Sequence, residues 1–426
     1  MTKKNTSTNT TASMEDAAVK GKGSAAETLF GGKAKPMFTG KLSPVKMALV
    51  GLLMVVLLLL PIYLQGMGEV LLLASFVLIG LYILLALGLN IIIGYAGMLD
   101  FGRMAFYAVG AYAAMILAIP LANLMGDNLS QFAFPFVLIG SGIVAAFVGY
   151  LLSLPVMRLR GDYLAIVTLG FGEIVRITIQ NNPFNITNGL LGLPRSGDVL
   201  PWPPFFEWLR ENVVLVMGNE FYFTVTRNVY WYYMILLVLI IAIIVVRRQD
   251  NSRLGRSWAA MREDEVAATA MGVNVTKAKT WAFVLGAFWG GAAGACFGFF
   301  QGSVSPEPFT FLNSVIVLAI VVIGGMGSIP GVLLGGVIIM GFPELVRWFA
   351  MNHLGGGGGD IGGQVANMRN LLLGLFMVIM MAVRTEGIIP MKPKLHKLYG
   401  KGKFGGTDGA ADKAAEAAPS SKGGAN

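Results

Sequence analysis

The stretch "VLLLASFVLIGLYILLALGLNIII", residues Val70–Ile93, holds 24 residues and no charged side chain. A helix needs about 20 mainly apolar residues to cross the hydrocarbon core of a bilayer, so this run predicts a membrane-spanning helix. The whole chain has the same character, because 55% of its 426 residues are hydrophobic and only 13% are charged. Soluble domains are usually about 45–50% apolar and about 25% charged. The composition therefore excludes an ordinary soluble protein.

Other apolar runs predict an all-α fold, a polytopic membrane bundle of about ten helices. We place the spans at residues 45–63, 70–93, 103–122, 133–154, 163–179, 229–246, 280–300, 309–323, 331–349 and 370–383. The predicted membrane domain then covers residues 45–384. A polar tail of residues 1–44, which we expect to be disordered, precedes it, and a basic and then low-complexity tail of residues 385–426 follows.

The distribution of Lys and Arg predicts the orientation of the bundle. With ten spans and a cytoplasmic N-terminus, 25 basic residues fall on the cytoplasmic side and five on the opposite side. Cytoplasmic loops of membrane proteins are enriched in Lys and Arg. We therefore predict that both termini are cytoplasmic, and we attribute the net charge of +9 to this bias rather than to nucleic-acid binding.

The largest internal cytoplasmic loop, residues 247–279, contains a polar helix-like stretch, "GRSWAAMREDEVAATAMG". We predict a helix over residues 257–272, with Ser257 as its N-cap and Gly272 at its end; Asn274 or Thr276 would cap the next helix. Its apolar contact points would be Trp258, Met261, Ala268 and Met271. By composition alone, this helix is equally a solvated connector or a docking element for a soluble partner.

Several polar residues fall inside or beside the predicted spans, where an isolated charge is unfavourable. They are Asn90, Asp100, Arg103, Thr168, Glu173 and Arg176. The two acid–arginine pairs have a three-residue spacing that places both members on one helix face. For Asp100 and Arg103 we expect a local ion pair, with a gate as the alternative. For Glu173 and Arg176 the alternatives are a pair that steadies the bundle and a lining of the translocation path.

Four glycines in the seventh span are spaced four residues apart: Gly286, Gly290, Gly294 and Gly298. This spacing forms a ridge on one helix face that lets another helix approach closely. The ridge fits either packing inside the bundle or a seam between subunits.

Signatures of catalysis are missing from the sequence. There is no P-loop, HExxH, CxxC or GxSxG motif, and the chain has one cysteine and two histidines. We therefore expect a protein that is not an enzyme, holds no metal ion and binds no ATP itself.

The segment "EVAATAMG", Glu265–Gly272, resembles the coupling segment of ATP-binding-cassette importer permeases, which reads Glu-Ala-Ala, three residues, then Gly. Ala267, Ala268 and Gly272 match that spacing. Glu265 stands one place early, because Val266 is inserted, so the role of the glutamate falls within the charged group Arg262, Glu263, Asp264 and Glu265.

Longer stretches resemble the LivM-type permease of high-affinity branched-chain amino acid importers. They are "NIIIGYAGMLDFGRMAFYAVGAYAAMIL" (Asn90–Leu117), "LRGDYLAIVTLGFGEIVRI" (Leu159–Ile177), "SPEPFTFLNSVIVLAIVVIGGMGSIPG" (Ser305–Gly331) and "VRTEGIIP" (Val383–Pro390). Together with the coupling segment they cover about residues 80–390 in order.

This resemblance implies a permease subunit in a bacterial inner membrane, working with a homologous LivH-type permease, two cytoplasmic ATPases that hold the ATP, and an extracytoplasmic binding protein. The solute would be a branched-chain amino acid. Close relatives of the family carry urea, short amides or other amino acids, which remain alternatives. A secondary transporter also fits a ten-span bundle, although the coupling-like loop argues against it.

Overall fold

The structure is a computed structural model that describes part of the chain. The described residues are 55–61, 63–64, 70–125, 133–157, 159, 161–182, 185–194, 227–353, 374–375, 378 and 387–389. The predicted tail of residues 1–44 lies outside them, as do nearly all of residues 385–426 and most of the spans predicted at 45–63 and 370–383.

Most of the described chain is helical. The α-helices are α1 (Val70–Asn90), α2 (Arg103–Met125), α3 (Ala133–Val156), α4 (Asp162–Gln180), α5 (Arg227–Asp250), α6 (Arg253–Glu263), α7 (Glu265–Ala270), α8 (Val275–Gln301), α9 (Phe311–Gly324) and α10 (Ile329–His353). A π-helical turn, Ile91–Tyr95, continues α1. The sequence did not predict a short antiparallel ladder in which β1 (Leu193–Pro194) pairs with β2 (Ser303–Val304).

Six of the described helices are long and apolar enough to cross a membrane, by length and composition. They are Leu72–Tyr95, Arg103–Leu121, Ala133–Val156, Asn228–Asp250, Val275–Gln301 and Ile329–Val346. The protein is therefore an all-α, polytopic membrane protein, as the composition predicted. Two further predicted spans are helices that fall outside this set. With 14 residues, α9 is about 21 Å long, short of the roughly 30 Å of a bilayer core. In α4, Glu173 and Arg176 interrupt the apolar sequence.

The core of the bundle is α8, which packs against α1, α2 and α3. Small residues make this close packing possible. A Cβ atom on Gly110 of α2 would overlap the backbone of Gly291 of α8, and a Cβ atom on Gly294 would overlap the carbonyl oxygen of Tyr107 of α2. The four ridge glycines of α8 are all buried, and their neighbours are residues of α1, the π-turn, α2 and β2 of the same chain. In the described residues the ridge therefore packs inside the bundle.

The substitution Gly294→Ala should destabilise this core. Its added methyl group overlaps the Tyr107 carbonyl oxygen and lies 2.7 Å from the backbone nitrogen of Ala111. Overpacking of this kind usually costs about 1–3 kcal/mol. We expect a lower midpoint of thermal unfolding for the purified protein in lipid nanodiscs.

Gly170→Ala is the matched control, because a Cβ atom at Gly170 has nothing within 4 Å and alanine is favoured over glycine within a helix. If the two variants unfold at the same temperature, the close contact between α2 and α8 does not limit stability.

Candidate functional site: a helix pair on a buried loop

The predicted helix over residues 257–272 is two helices. It breaks at Asp264, whose backbone is extended (φ −156°, ψ 118°) between α6 and α7. The Asp264 carboxylate accepts hydrogen bonds from the backbone N–H groups of Val266 (2.7 Å) and Ala267 (3.1 Å). A carboxylate at this position satisfies N–H groups that the first turn leaves unpaired and interacts well with the helix dipole. The second helix therefore starts at Asp264 because this side chain caps it.

The prediction that Ser257 is the N-cap of this helix was wrong. Ser257 lies inside α6, and its hydroxyl donates to the carbonyl oxygen of Arg253 at 3.1 Å. The cap is Ser252, whose hydroxyl accepts from the N–H of Gly255 at 3.4 Å. At the other end, Gly272 follows α7 with φ +83°, and Asn274 caps α8 by accepting from the N–H of Lys277 at 2.9 Å.

Trp258 joins α6 to the membrane bundle. Its side chain is fully buried, and its Nε1–H donates to the carbonyl oxygen of Ala278, at the start of α8, at 2.8 Å. Its ring is stacked on Tyr95 of the π-turn, with centroids 6.5 Å apart and planes 3° from parallel. The helix pair is therefore packed onto both α8 and the π-turn.

Arg262 makes a second connection to the π-turn. Its Nη1 donates to the carbonyl oxygen of Gly94 at 2.6 Å, across 168 residues of sequence. Carbonyl groups in a π-turn are displaced from the regular helical pattern, so a side chain can reach them. The α6 helix is thus attached to the point where α1 changes from α-helical to π-helical geometry.

The four consecutive charges of this segment have different surroundings. Arg262 binds the π-turn, Asp264 caps α7, and Glu265 forms an ion pair with the buried Lys279 of α8, while Glu263 is exposed. Sequence patterning gave no signal for Lys279, because its partner lies 14 residues away and the pair depends on the break at Asp264.

The apolar residues of the helix pair divide into an inner and an outer set. Trp258, Met261 and Ala268 are buried within the chain, so they are not contact points for a partner. Met271 is 84% exposed and Val266 is 68% exposed. We call these two side chains the α7 surface; the inserted Val266, which the sequence comparison treated as a departure, is half of it.

A non-helical segment, residues 96–102, connects the π-turn to α2, and we call it the buried loop. Four of its seven residues are buried. Its backbone is satisfied by side chains from other helices: the N–H of Phe101 donates to Thr168 Oγ1 of α4 at 3.1 Å, and the N–H of Met104, just after it, donates to Ser314 Oγ of α9 at 3.3 Å. Ser314 was missed by the sequence analysis, where it was one small polar residue in an apolar run.

Asn90 connects the π-turn to the turn between α9 and α10. Its Oδ1 accepts from the N–H of Gly327 at 2.8 Å, and Asn90 is fully buried. A Cβ atom on Gly94 would overlap the backbone of Gly327, so the two turns touch directly. Four of the predicted polar residues, Asn90, Asp100, Arg103 and Thr168, are therefore gathered at the π-turn and the buried loop.

The predicted ion pair between Asp100 and Arg103 does not form. Asp100 Oδ1 instead accepts from the N–H of Gly102 at 2.9 Å, within the buried loop. Among the described residues, no hydrogen-bond partner is present for Asp100 Oδ2 or for Nε, Nη1 and Nη2 of Arg103. The buried backbone N–H competes successfully for the carboxylate, because it has no water to bind.

Glu173 and Arg176 form the ion pair that their spacing predicts, and this pair lies apart from the buried loop. Arg176 Nε lies 2.7 Å from Glu173 Oε2, and Nη2 lies 3.1 Å from Oε1. Both residues are on the partly exposed length of α4, more than one turn beyond Thr168. The structure does not gather them with the other four.

Six described helices able to cross a membrane, with a helix pair of soluble sequence packed against the π-turn and α8, define a multi-pass membrane protein. The sequence matches the family described as the branched-chain amino acid transport system permease component over residues 71–381. This match covers well over half of the chain. The chain therefore belongs to that family, and the LivM-type resemblance is confirmed.

The relatives have the same description. The chain is 38% identical to the high-affinity branched-chain amino acid transport system permease protein LivM of Salmonella typhimurium over 332 residues, 76% of this chain and 71% of that protein. The LivM protein of Escherichia coli gives the same identity and coverage. The LivH permease of Salmonella typhimurium is 28% identical over 262 residues, 61% of this chain and 79% of that protein. No solved structure matches the chain.

Arg262→Ala should loosen α6 from the π-turn. The variant removes the hydrogen bond to Gly94, and hydrogen bonds to charged groups contribute about 1.5–3 kcal/mol. We expect the backbone amides of α6 to exchange with deuterium at least about tenfold faster. Arg256→Ala is the control, since Arg256 is exposed on the same helix; equal exchange in both variants would contradict an anchoring role for Arg262.

Thr168→Val should destabilise the buried loop. Valine has nearly the same shape as threonine but leaves the N–H of Phe101 without its acceptor, which usually costs about 1–3 kcal/mol for a buried group. The midpoint of thermal unfolding should fall. Thr269→Val removes a hydroxyl that bonds the Glu265 carbonyl oxygen on the exposed side of α7, and its midpoint should stay close to that of the unmodified protein.

Proposed function

We propose that this chain is the membrane-spanning permease subunit of an ATP-driven importer of branched-chain amino acids. The family match and the similarity to relatives named for that transport system support the proposal. The observation that carries the coupling to ATP is the attachment of the helix pair to the π-turn through Trp258 and Arg262. A solvated connector would not need a ring stack and a hydrogen bond to the end of a membrane helix.

The proposed assembly contains a homologous second permease of the LivH type, two cytoplasmic ABC ATPases and an extracytoplasmic solute-binding protein. Similarity of this chain to both LivM and LivH relatives supports pairing of two related permeases. ATP would be bound and hydrolysed by the ATPase subunits, and this chain would hold no cofactor or metal and bind no nucleic acid. It would lie in the lipid bilayer of the bacterial inner membrane with about ten spans and both termini in the cytoplasm.

Coupling would begin at the α7 surface. Val266 and Met271 are large apolar side chains on the polar helix pair, and they are exposed in this chain. The buried centre of a protein interface is usually more apolar than its rim, and methionine is enriched there. We assign the docking of an ATPase to these two residues, with the charged residues Arg262 to Glu265 and the small residues Ala267, Ala268 and Gly272 shaping the helix pair beneath them.

Movement of the docked helix pair would reach the bundle through the π-turn. Arg262 and Trp258 of α6 contact the π-turn, and Asn90, directly before the π-turn, accepts a hydrogen bond from the turn between α9 and α10. The end of α9, just before that turn, is also bonded to the chain's "GII" segment, since the N–H of Ile388 donates to the carbonyl oxygen of Ile323 at 2.8 Å. Coupling needs such a connected element with different contacts in two states.

The translocation path would pass the buried loop, where Asn90, Asp100, Arg103 and Thr168 meet. Non-helical backbone at membrane depth occurs where it is buried in protein or lines a cavity. Glu173 and Arg176 remain candidates for a part of the path on the open length of α4. The solutes of related importers, urea, short amides or other amino acids, are the alternative cargo.

ATP dependence separates this proposal from a secondary transporter. The assembled importer in sealed vesicles should take up leucine when binding protein and internal ATP are present, and an ion gradient alone should give no uptake. Uptake that follows an ion gradient and ignores ATP would overturn the proposal.

Met271→Asp should uncouple the importer. A charge at this largely exposed position does not disturb the chain's own core but places a carboxylate in the apolar contact with the ATPase. We expect leucine uptake to fall at least about tenfold, with normal amounts of the permease in the membrane. Met271→Leu keeps an apolar side chain and should retain uptake; equal uptake by the two variants would place ATPase docking elsewhere.

A further inference from the structure

We propose that Arg103 binds the carboxylate of the transported solute. The inference rests on the proposed transport function and deepens it by naming the residue that recognises the solute. It requires a solute with a free carboxylate, which branched-chain amino acids have and urea and short amides lack.

The first observation is a buried guanidinium without hydrogen bonds. Arg103 is fully buried, and none of its three guanidinium nitrogens has a hydrogen-bond partner among the described residues. A guanidinium remains charged under all ordinary conditions, and it offers five N–H donors in a planar fork. The buried Asp100 carboxylate is near enough to interact with this charge but does not bond it. Buried charged donors without hydrogen bonds are strongly unfavourable, and a charged residue at membrane depth usually serves a solute, an ion or a partner.

The second observation is the position of the guanidinium. Arg103 is the first residue of α2, but its side chain reaches inward between two glycines, Gly88 of α1 and Gly290 of α8. A Cβ atom on Gly88 would overlap Nη2, and one on Gly290 would lie 3.5 Å from Cζ. Two small residues on neighbouring helices thus leave room for the guanidinium in the centre of the bundle. An arginine with only a surface role would extend toward water.

The third observation is that two other buried groups without a hydrogen-bond partner among the described residues are also donors. Buried donors without a partner are also present on the two helices that flank Arg103: Trp289 Nε1 on α8 and Asn90 Nδ2 at the end of α1. The N-terminus of α2 adds a positive dipole. Donors and positive charge together favour an anion, and arginine binds carboxylates with two parallel hydrogen bonds.

Asp100 fits the same class of ligand. Its Oδ1 is held by the N–H of Gly102, and its buried Oδ2 has no partner among the described residues. An unsatisfied acceptor three residues from an unsatisfied guanidinium matches a ligand that carries both an ammonium and a carboxylate group. An amino acid has that pair of groups on one carbon atom.

In the described conformation Arg103 is fully buried, so the solute would reach it only when the helices around it move apart. The buried loop that ends at Arg103 is continuous with the π-turn, and the π-turn is bound by α6. Movement of the helix pair therefore acts on the segment that holds Arg103, which gives the ATPases a direct route for opening the site.

The test compares Arg103→Gln with the unmodified importer, assembled with its second permease and ATPases in nanodiscs and without binding protein. Two radiolabelled probes are used: L-leucine, and L-leucinol, which keeps the ammonium and the side chain but has no carboxylate. We expect Arg103→Gln to weaken leucine binding at least about tenfold and to leave leucinol binding unchanged. Arg103→Lys should restore part of the leucine affinity, because it returns the charge without the planar fork.

Arg256→Gln is the matched control, since Arg256 is exposed on α6 and has no place in the proposed path. It should bind both probes as the unmodified importer does. Equal loss of leucine and leucinol in Arg103→Gln, or no loss of either, would overturn the assignment and leave Arg103 with a structural role. Absence of ATP-driven leucine uptake by the unmodified importer would instead contradict the proposed function itself, so the two failures are distinguishable.

Discussion

The buried loop of residues 96–102 is the constraint on which the described structure depends. A chain that leaves helical geometry inside a membrane bundle must find a partner for each freed N–H and C=O group, because no water is available. Some partners are local, since the N–H groups of Ala96, Gly97 and Met98 donate to carbonyl oxygens of the π-turn. Others come from distant parts of the sequence: Thr168 of α4 accepts from Phe101, Ser314 of α9 accepts from Met104 at the start of α2, and Arg262 of α6 donates to Gly94 of the π-turn. These bonds hold α4, α9 and α6 against the segment that runs from the π-turn to the start of α2.

The same constraint links the two parts of the proposed mechanism. In many membrane proteins a cytoplasmic helix touches only the ends of the spans. In this chain the helix pair bonds to the π-turn, which is continuous with the buried loop and hence with the start of α2. The helix pair that carries the proposed docking surface is thus bonded directly to the segment that leads into Arg103, the proposed solute site. No long relay of side chains is needed between them.

The sequence was sufficient for the class of fold and for the family, because apolar length and family motifs are local properties. It was less informative about single residues, because their roles depend on neighbours that are distant in the chain. Asp264 was predicted as part of a charged helix face, although it ends one helix and caps the next. The pairing of Glu173 with Arg176 followed from spacing on one helix. The same spacing failed for Asp100 and Arg103, because α2 begins only at Arg103 and the N–H of Gly102 takes the carboxylate. The importance of Gly94 and Ser314 could not be read from patterning, since both are defined by contacts across the bundle.

The small ladder between β1 and β2 has a mechanical consequence for α8. It fastens the segment after α4 to the residues that directly follow α8, with Leu193 opposite Val304, and Gly192 lies so close that a side chain there would overlap the Val304 carbonyl oxygen. The other end of α8 is held by Trp258 through Ala278. Both ends of α8 are therefore bound to other elements of the chain. A displacement of the helix pair would reach α8 first at Ala278, while the ladder restrains the residues that follow Gln301.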